Sequence, residues 1–266
     1  LRIIEQKMVD ILRQGREEFG VIATKAEFEA EGTRTDELLR LIEIANKANV
    51  AIALKIGGCE AIRDLLEAKQ FGVKYIIAPM VETPYALSKY ITAKEKFFDK
   101  EEKKDMSFLF NVETETTFKN IDPIVTLASE SPGCDGLVFG RVDYSGSLGQ
   151  GRNIIESKEV TNVGVSLAEY CKRMNLEFVV GGAVSMDAIP NLKRIHEIHL
   201  DRFETRKIVF QSEALDIKNL DKYLMKAVHF ELLWLLNKRE YYGLMHKEDE
   251  ARIEMLEERW NVLKNS

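Results

Sequence analysis

The chain contains two short apolar runs, Ser107-Phe-Leu-Phe-Asn-Val-Glu113 and Gly136-Leu-Val-Phe-Gly140, separated by one helix-sized stretch from Phe118 to Ser129. A strand, a helix and a second strand in this order form a crossover, which makes the two strands parallel. Glu113 closes the first run and Asp143 follows the second. Because parallel strands end on one face, the two carboxylates are expected to converge there, where α/β folds keep their active sites.

The same alternation continues through most of the chain. Short continuous runs of Val, Ile, Leu and Phe are typical of parallel strands covered on both faces. About seven or eight strand–helix units predict an α/β fold of the (β/α)8, TIM-type barrel class, with a doubly wound sheet as the alternative. The predicted strands are Val21–Glu29, Ala51–Gly57, Tyr75–Met80, Ser107–Glu113, Gly136–Gly140, Glu177–Gly182 and one or two segments within His196–Phe210. The predicted helices are Asp36–Ala48, Cys59–Phe71, Pro84–Phe98, Phe118–Ser129, Lys158–Met174 and Ser185–Ile195.

The pattern changes near residue 218, after which no strand is predicted. Leu220–Asn237 and Glu248–Trp260 have helical periodicity and are joined by a Tyr-Tyr-Gly segment. The first of these helices is too apolar for a solvated appendage, so we expect it to pack as the last barrel helix or against another subunit. The sequence therefore predicts a catalytic barrel domain over residues 1–217 and additional C-terminal helices over residues 218–266 that also form an oligomer interface.

Composition narrows the class of protein. A net charge of -6 carries no basic-patch signal, so a nucleic-acid partner is not expected. Runs of about 18 apolar residues are missing from the sequence, so no membrane partner is expected either. Three scattered cysteines without a CxxC motif fit a reducing cytosol better than a disulfide framework or a zinc site. A cytoplasmic protein with a small-molecule substrate is the resulting expectation.

Charged residues at the ends of the first two strands are candidates for catalysis. Alternation places Lys55 on one face with Ala51 and Ala53, at the same end of the barrel as the two carboxylates. Lys55 is interpreted as a structural ion-pair partner, a cation that stabilises a developing enolate oxygen, or a Schiff-base lysine. Glu27 and Glu29 share a face at the end of the first strand, where they form either a solvated rim or part of the site.

A pair of hard oxygen ligands, Glu113 and Asp143, with no Cys or His nearby suits Mg²⁺ or Mn²⁺ better than zinc. Arg141 and Arg206 are further candidates near the same rim. Each is interpreted either as an anion-binding group or as an ordinary salt-bridge partner.

Two motifs about thirty residues apart, Asn111-Val-Glu113-Thr and Gly140-Arg-Val-Asp143-Tyr-Ser-Gly-Ser-Leu-Gly149, resemble the signature of the HpcH/HpaI aldolase and citrate lyase beta-chain family. The segment Ala78-Pro-Met-Val-Glu82 resembles the third-strand region of that family. The resemblance extends over about residues 20–150. It implies a (β/α)8 barrel with a swapped C-terminal helix, often in hexamers, and metal-dependent carbon–carbon lyase or condensation chemistry on 2-oxo acids or acyl-CoA esters.

The resemblance also implies roles for single residues. Glu113 and Asp143 match the two metal carboxylates, and Asn111 matches a polar residue beside the substrate. Gly140, Arg141 and Val142 belong to the substrate-binding segment, because the backbone at Val142 and Asp143 matches the amides that hold the carboxylate of the oxo acid.

Lys55, Ala30 and Arg141 depart from the family pattern, whereas Glu27 and Glu29 follow it. Lys55 falls where the family has an arginine that polarises the carbonyl, so the bidentate fork is lost. Glu27 and Glu29 align with an acidic pair of the aldolase branch. Ala30 replaces its acid–base histidine, and Arg141 replaces a proline. We therefore expect Glu27, Glu29 or a metal-bound water to move the proton.

The expected function is that of a divalent-metal-dependent carbon–carbon lyase of the aldolase type, acting on a 2-oxo acid by pyruvate enolate chemistry. Mg²⁺ or Mn²⁺ on Glu113 and Asp143, together with Lys55, would stabilise the enolate. We expect a homo-oligomer, from dimer to hexamer. One alternative is a citrate-lyase-like enzyme acting on an acyl-CoA thioester. Another is a catalytically lapsed barrel that serves as a binding or assembly subunit.

Overall fold

A computed structural model describes residues 1–264. The strands are β1 Val21–Glu27, β2 Ala51–Lys55, β3 Tyr75–Ala78, β4 Ser107–Val112, β5 Gly136–Gly140, β6 Glu177–Gly181, β7 Arg202–Glu204 and β8 Ile208–Gln211. They form a closed barrel in which each strand pairs with its neighbours in chain order and β8 closes the ring against β1. The predicted TIM-type barrel is confirmed, and the predicted region His196–Phe210 holds the start of β8 and the whole of β7.

The last strand departs from the regular pattern. Strands β1 to β7 pair in parallel, whereas β8 is antiparallel to both β7 and β1. Only Thr205, Arg206 and Lys207 connect β7 to β8. A parallel crossover needs a dozen or more residues, so this connection can form only a hairpin. Its turn therefore lies at the face where the parallel strands end.

Helices cover the outside of the barrel. Within residues 1–264 the α-helices are α1 Ile3–Glu18, α2 Thr35–Ala48, α3 Ile62–Gln70, α4 Pro84–Phe97, α5 Lys100–Asp105, α6 Glu115–Lys119, α7 Ile121–Ser129, α8 Arg141–Ser147, α9 Lys158–Met174, α10 Ile189–His196 and α11 Leu220–Lys264. Three of them, α1, α5 and α8, lie where no helix is predicted. Helices α1 and α8 each contain a glycine, which is a weak helix former, and α5 is only six residues long. The predicted helix Phe118–Ser129 is replaced by α6 and α7, which meet at Asn120.

An apolar layer fills the barrel lumen and forms the floor of the site. Its buried members are Ala23, Ala53, Ile77, Leu109, Val138, Val179 and Val209. Because side chains alternate along a strand, the residues two positions further along also face the lumen, above this layer. They include Lys25, Lys55 and Asn111. Alternation along β1 would also place Val21 on this face, but Val21 packs in the outer core, because a register shift against β8 falls between Val21 and Ala23.

The C-terminal helix α11 is continuous through Tyr241, Tyr242 and Gly243, where a joint between two helices is predicted. Its first half closes the helical layer of its own barrel. Tyr223 stacks on Phe19 of α1, with ring centroids 4.6 Å apart, and its hydroxyl donates to the Ile11 carbonyl at 2.8 Å. The prediction of a last barrel helix agrees with this packing. In this chain the barrel covers the face that carries Tyr223, Phe230 and Trp234, and the contact of the C-terminal helices with another subunit stays a prediction.

The second half of α11 runs beyond the barrel, and its apolar side chains are exposed. Ile253, Leu256 and Trp260 recur at three- and four-residue steps and are 48%, 47% and 64% exposed. Such a stripe on one face of a helix is typical of an interface. We propose that this half of α11 forms the predicted contact between subunits. None of the helices within residues 1–264 combines the length and apolar character needed to cross a membrane.

Two truncations separate the roles of the halves of α11. Ending the chain after Asp216 should abolish folding, because Tyr223, Phe230 and Trp234 are buried and each loss of a large core side chain costs about 3–5 kcal/mol. Ending it after Gly243 should leave the melting temperature within a few degrees and convert the assembly to a monomer. Circular dichroism and light scattering measure the two outcomes. An unchanged oligomer in the shorter deletion would contradict the interface proposal.

Candidate active site

A cavity of about 750 Å³ opens at the ends of the parallel strands. It lies above the apolar layer of the lumen and is enclosed on one side by the β7–β8 turn and by α11. The predicted site residues in its lining are Glu27, Glu29, Lys55, Asn111, Glu113, Gly140, Val142 and Asp143. The convergence predicted from the strand–helix–strand pattern is therefore present.

Glu113 lies at the centre of the site and is fully buried. Its Oε2 atom accepts hydrogen bonds from Lys55 Nζ at 3.0 Å and from Asn111 Nδ2 at 2.6 Å. Its Oε1 atom accepts from the backbone amide of Met80 at 2.9 Å. Three donors from three strand ends thus replace the water molecules that would otherwise hydrogen-bond to the carboxylate. A buried charge needs such partners.

Gly140 makes room for this carboxylate. A Cβ atom at position 140 would lie 2.9 Å from Glu113 Cβ and 3.1 Å from its Oε2. Any larger residue would therefore press on a side chain that is held by three hydrogen bonds. The structure gives Gly140 this steric role, and contact with a substrate stays a prediction for this position.

Asp143 lies in the first turn of α8 and is exposed to the cavity beside Glu113. Partial burial and the neighbouring Glu113 carboxylate raise the pKa of Asp143, although the Lys55 ammonium acts in the opposite direction. A carboxylate whose pKa is raised by a neighbouring carboxylate favours either a shared proton or a bound cation. Asp143 and Glu113 are thus arranged as a pair that a cation would relieve.

The donor set fits a hard divalent cation that keeps part of its water shell. Among residues 1–264, no group of three or more His, Cys, Asp and Glu side chains is arranged to hold a metal ion. Mg²⁺ commonly binds to only one or two protein carboxylates and completes its shell with water and substrate oxygens. The cavity lining carries six carboxylates and four cationic side chains. One divalent cation would balance the two negative charges in excess.

Lys55 bridges two carboxylates, with its Nζ 3.0 Å from Glu113 and 3.1 Å from Glu29. Burial disfavours its charge, but Glu113 and Glu29 outweigh that effect and raise the pKa of Lys55. A protonated amine is not a nucleophile, so this environment suits the electrostatic role better than the Schiff-base role. Both ion-pair and electrostatic interpretations of Lys55 agree with its position.

The two predicted acid–base candidates lie in different surroundings. Burial would raise the pKa of Glu27, but Lys25, Arg206 and Lys55 outweigh it and lower that pKa. Glu27 is therefore a weak proton acceptor. Glu29 lies beyond the end of β1, in a loop, with its side chain 25% exposed and next to Lys55. Glu29 is the better placed of the two to exchange a proton with a ligand in the cavity.

Lys25 and Glu204 form an ion pair in the lumen that the sequence did not predict. Lys25 also lies 3.4 Å from Glu27 and anchors it. Alternation along β1 places Lys25 on the same face as Glu27, but the sequence carries no signal for Glu204, because β7 has only three residues. A strand this short shows no period-2 pattern.

The two arginines act within the protein. The Arg141 side chain is buried and donates to Glu156 at 2.9 Å and to the Gly182 carbonyl at 2.8 Å. These contacts agree with the salt-bridge interpretation of the Arg141 side chain rather than with the anion-binding one, and the substrate-binding role of this position stays a prediction. Arg206 pairs with Glu31 at 3.1 Å and with Glu27 at 3.4 Å.

The backbone nitrogens of Arg141 and Val142 lie close to Gly182. A Cβ atom at Gly182 would lie 2.7 Å from the Val142 nitrogen and 2.9 Å from the Arg141 nitrogen, so glycine lets the two loops approach closely. Asn111 Oδ1 is buried without a hydrogen-bond partner among the described residues. An unpaired buried acceptor at a cavity wall is a candidate contact for a ligand hydroxyl or water. The substrate-binding roles of Val142 and Asn111 stay predictions.

A model of the HpcH/HpaI aldolase/citrate lyase family matches residues 27–188, which is more than half of the chain. The chain belongs to this family. The resemblance found in the two motifs is therefore confirmed, and the family places the chain among lyases and aldolases. The matched range includes every strand end that forms the site except the β7–β8 hairpin.

Three solved structures share the fold. An HpcH/HpaI aldolase from Desulfitobacterium hafniense DCB-2 superposes with a TM-score of 0.59 at 16% identity, covering 84% of this chain and 88% of that one. A family protein from Burkholderia cenocepacia J2315 gives 0.61 at 12% identity, with 86% and 89% covered. A citrate synthase variant, SbnG, gives 0.56 at 13% identity, with 89% and 90% covered. No curated protein matches the sequence.

Because the pKa of Asp143 is raised, we predict that Asp143→Asn increases the stability of the protein by an amount that depends on pH. Between the ordinary aspartate pKa and the raised one, the folded chain binds more protons than the unfolded chain. The free energy of unfolding therefore falls as pH rises through this window and stays lower above it. In the presence of a chelator, Asp143→Asn should raise the melting temperature at pH 7, and the gain should shrink towards pH 4.

Differential scanning fluorimetry measures this effect, with Asp187→Asn as a control at an exposed aspartate outside the cavity. A lower melting temperature for Asp143→Asn at pH 7 would show that the Glu113–Asp143 repulsion does not exist.

Proposed function

We propose that this protein is a divalent-metal-dependent carbon–carbon lyase of the aldolase type that acts on a 2-oxo acid through its enolate. One observation carries the proposal: Glu113 and Asp143 lie side by side in the cavity, where burial and the neighbouring Glu113 carboxylate raise the pKa of Asp143. Lys55 lies beside them as a fixed positive charge. Membership in a family of aldolases and lyases supports the same class of reaction.

Glu113 and Asp143 would hold Mg²⁺ or Mn²⁺, which as a Lewis acid polarises the oxo group and carboxylate of the substrate. The backbone amide of Val142 would orient the substrate carboxylate. The Lys55 ammonium would face the C2 oxygen, where negative charge develops. A preorganised charge of this kind stabilises the transition state more than the ground state.

In the cleavage direction, Glu29 would accept the proton of the C4 hydroxyl group. The C3–C4 bond then breaks, the C4 carbon leaves as an aldehyde, and the electron pair of the bond moves onto C3 and the C2 oxygen as an enolate. Protonation at C3 completes the pyruvate unit. In this chain Ala30 stands where the aldolase branch has its acid–base histidine. Glu29 would take over that role, because it lies at the cavity wall beside Lys55.

In the citrate-lyase-like alternative, Arg141 and Arg206 would be the side chains that meet the phosphates of a CoA ester. The buried Arg141 guanidinium donates to Glu156 and to the carbonyls of Gly181 and Gly182, and Arg206 is engaged by Glu27 and Glu31. The 2-oxo acid proposal does not need either side chain and is favoured for that reason. The lapsed-barrel alternative gains no support from a site in which both carboxylates and Lys55 are in place.

Three substitutions test the metal site by calorimetry with Mn²⁺. Glu113→Gln and Asp143→Asn should each weaken Mn²⁺ binding beyond detection, because each removes one of two carboxylate ligands. Lys55→Met should strengthen binding, because it removes a positive charge 3.0 Å from a ligand oxygen. Glu231→Gln, at another carboxylate of the cavity lining, is the control and should change little.

Glu113 is fully buried, so its variant is also checked for folding by thermal denaturation. Asp143→Asn is at an exposed position and keeps the test independent of folding. Unchanged Mn²⁺ affinity in both carboxylate variants would remove the metal site.

Turnover of a 4-hydroxy-2-oxo acid tests the role of Lys55. Lys55→Arg should retain part of the activity and Lys55→Met should lose about 10²–10³-fold in kcat, as is common when one donor to a developing oxyanion is removed. Tighter Mn²⁺ binding combined with lower kcat in Lys55→Met would separate the two roles. Trapping of substrate on Lys55 by borohydride would instead establish the Schiff-base mechanism.

A further inference from the structure

A second cavity of about 460 Å³ adjoins the main one. The two cavities share Val142, Asp143 and Arg152, so the site continues past Asp143 into this side groove. The remaining residues that line the side groove are Met80, Thr114, Gly146, Ser147, Gln150 and Gly151. A Cβ atom at Gly146 would meet nothing within 4 Å. The side groove is therefore open space next to one of the proposed metal carboxylates.

Arg152 differs from the other cationic side chains of the main cavity. Lys25 pairs with Glu204, Lys55 pairs with Glu113, and Arg206 pairs with Glu31. Within residues 1–264, the Arg152 guanidinium has neither an ion pair nor a hydrogen bond. It is thus the cavity-lining cation whose charge the protein leaves uncompensated.

The charge of the side groove favours an anionic ligand. Asp143 and Arg152 are the charged residues of its lining. Once a cation takes up the charge of Asp143, the guanidinium of Arg152 remains as the charge that a ligand in the side groove meets. The planar guanidinium fork is suited to bidentate recognition of a carboxylate or a phosphate.

The backbone that carries Arg152 is held in place. Arg152 begins a short 3-10 turn that ends at Ile154, and the following Ile155 is buried. Glu156 then pairs with Arg141 at 2.9 Å and accepts from Asn191 at 2.7 Å. An anchored backbone with a free side chain places the guanidinium at the shared edge of the two cavities.

We propose that Arg152 is a specificity-determining residue that binds an anionic group at the end of the substrate remote from the 2-oxo acid unit. This inference rests on the proposed function: with C1 and C2 held at Glu113 and Asp143, the chain beyond C3 extends into the side groove. The ligand chemistry is an acidic group, carboxylate or phosphate, on the part of the substrate that leaves as the aldehyde.

A matched set of ligands tests this inference by calorimetry on the Mn²⁺-loaded protein, without any need for turnover. 2-Oxoadipate and 2-oxohexanoate have the same chain length and differ in the terminal carboxylate. 2-Oxo-5-phosphonopentanoate carries a phosphonate in place of that carboxylate and represents a substrate with a terminal phosphate. The wild type should bind at least one of the two dianions about tenfold to a hundredfold more tightly than 2-oxohexanoate, because a hydrogen bond to a charged group has that strength.

Arg152→Gln should remove this preference and leave the affinity for 2-oxohexanoate within twofold. Arg152→Lys should keep part of it, since the charge remains and the fork is lost. Arg63→Gln, at an arginine on α3 outside both cavities, is the control and should retain the full preference. The anionic ligand whose affinity exceeds that of 2-oxohexanoate by the larger factor shows whether a carboxylate or a phosphate is the recognised group.

Two outcomes overturn the inference in distinguishable ways. Binding of oxalate and 2-oxohexanoate with no preference for either dianion, or equal losses for all ligands in Arg152→Gln, would refute the role of Arg152 and leave the proposed function intact. Failure of the wild type to bind oxalate or any of the oxo acids would refute the proposed function, and the role of Arg152 with it.

Discussion

The ion pair between Glu113 and Lys55 is the interaction around which the active face is arranged. Both side chains lie at the mouth of the barrel, with residue exposures of 0% and 7%. Removing one partner of such a buried pair costs about 3–5 kcal/mol, because the other charge is left uncompensated. The neighbouring Asn111, Met80 and Gly140 supply donors or space to the same carboxylate. These residues are therefore constrained by one another before any ligand binds.

The β7–β8 hairpin changes how the mouth of the barrel is closed. In a regular barrel each strand leads into a helix, but here three residues join β7 to β8, and α11 follows β8. The turn brings Arg206 to the active face, where it pairs with Glu27 and Glu31. Because β8 runs downwards, α11 starts at the opposite end of the barrel and lies along α1. The close contact of Tyr223 with Gly15, where a Cβ would lie 1.9 Å from the tyrosine hydroxyl oxygen, holds this arrangement together.

In one part of the cavity each cationic side chain is paired with a carboxylate, and in another part the charged side chains have no such partner within residues 1–264. Lys25, Lys55 and Arg206 neutralise carboxylates of the barrel mouth, so they position the walls of the site. Asp143 and Arg152 remain at the edge shared with the side groove. A ligand that carries its own charges therefore has most to gain at this edge. This is the physical reason why metal binding and substrate selection are both proposed there.

The sequence by itself determined the barrel class, the convergence of Glu113 and Asp143, and the face of Lys55. These features follow from the period of the apolar residues and from the geometry of a strand–helix–strand crossover. Both depend on residues that are close together in the sequence. The direction of β8, the Lys25–Glu204 pair, the buried state of Arg141 and the continuity of α11 were decided only by the tertiary structure. Lys25 and Glu204 are 179 residues apart, and β7 and β8 are three and four residues long. No local pattern can specify contacts between such distant residues or reveal strands that short, because which charges pair depends on the closure of the whole barrel.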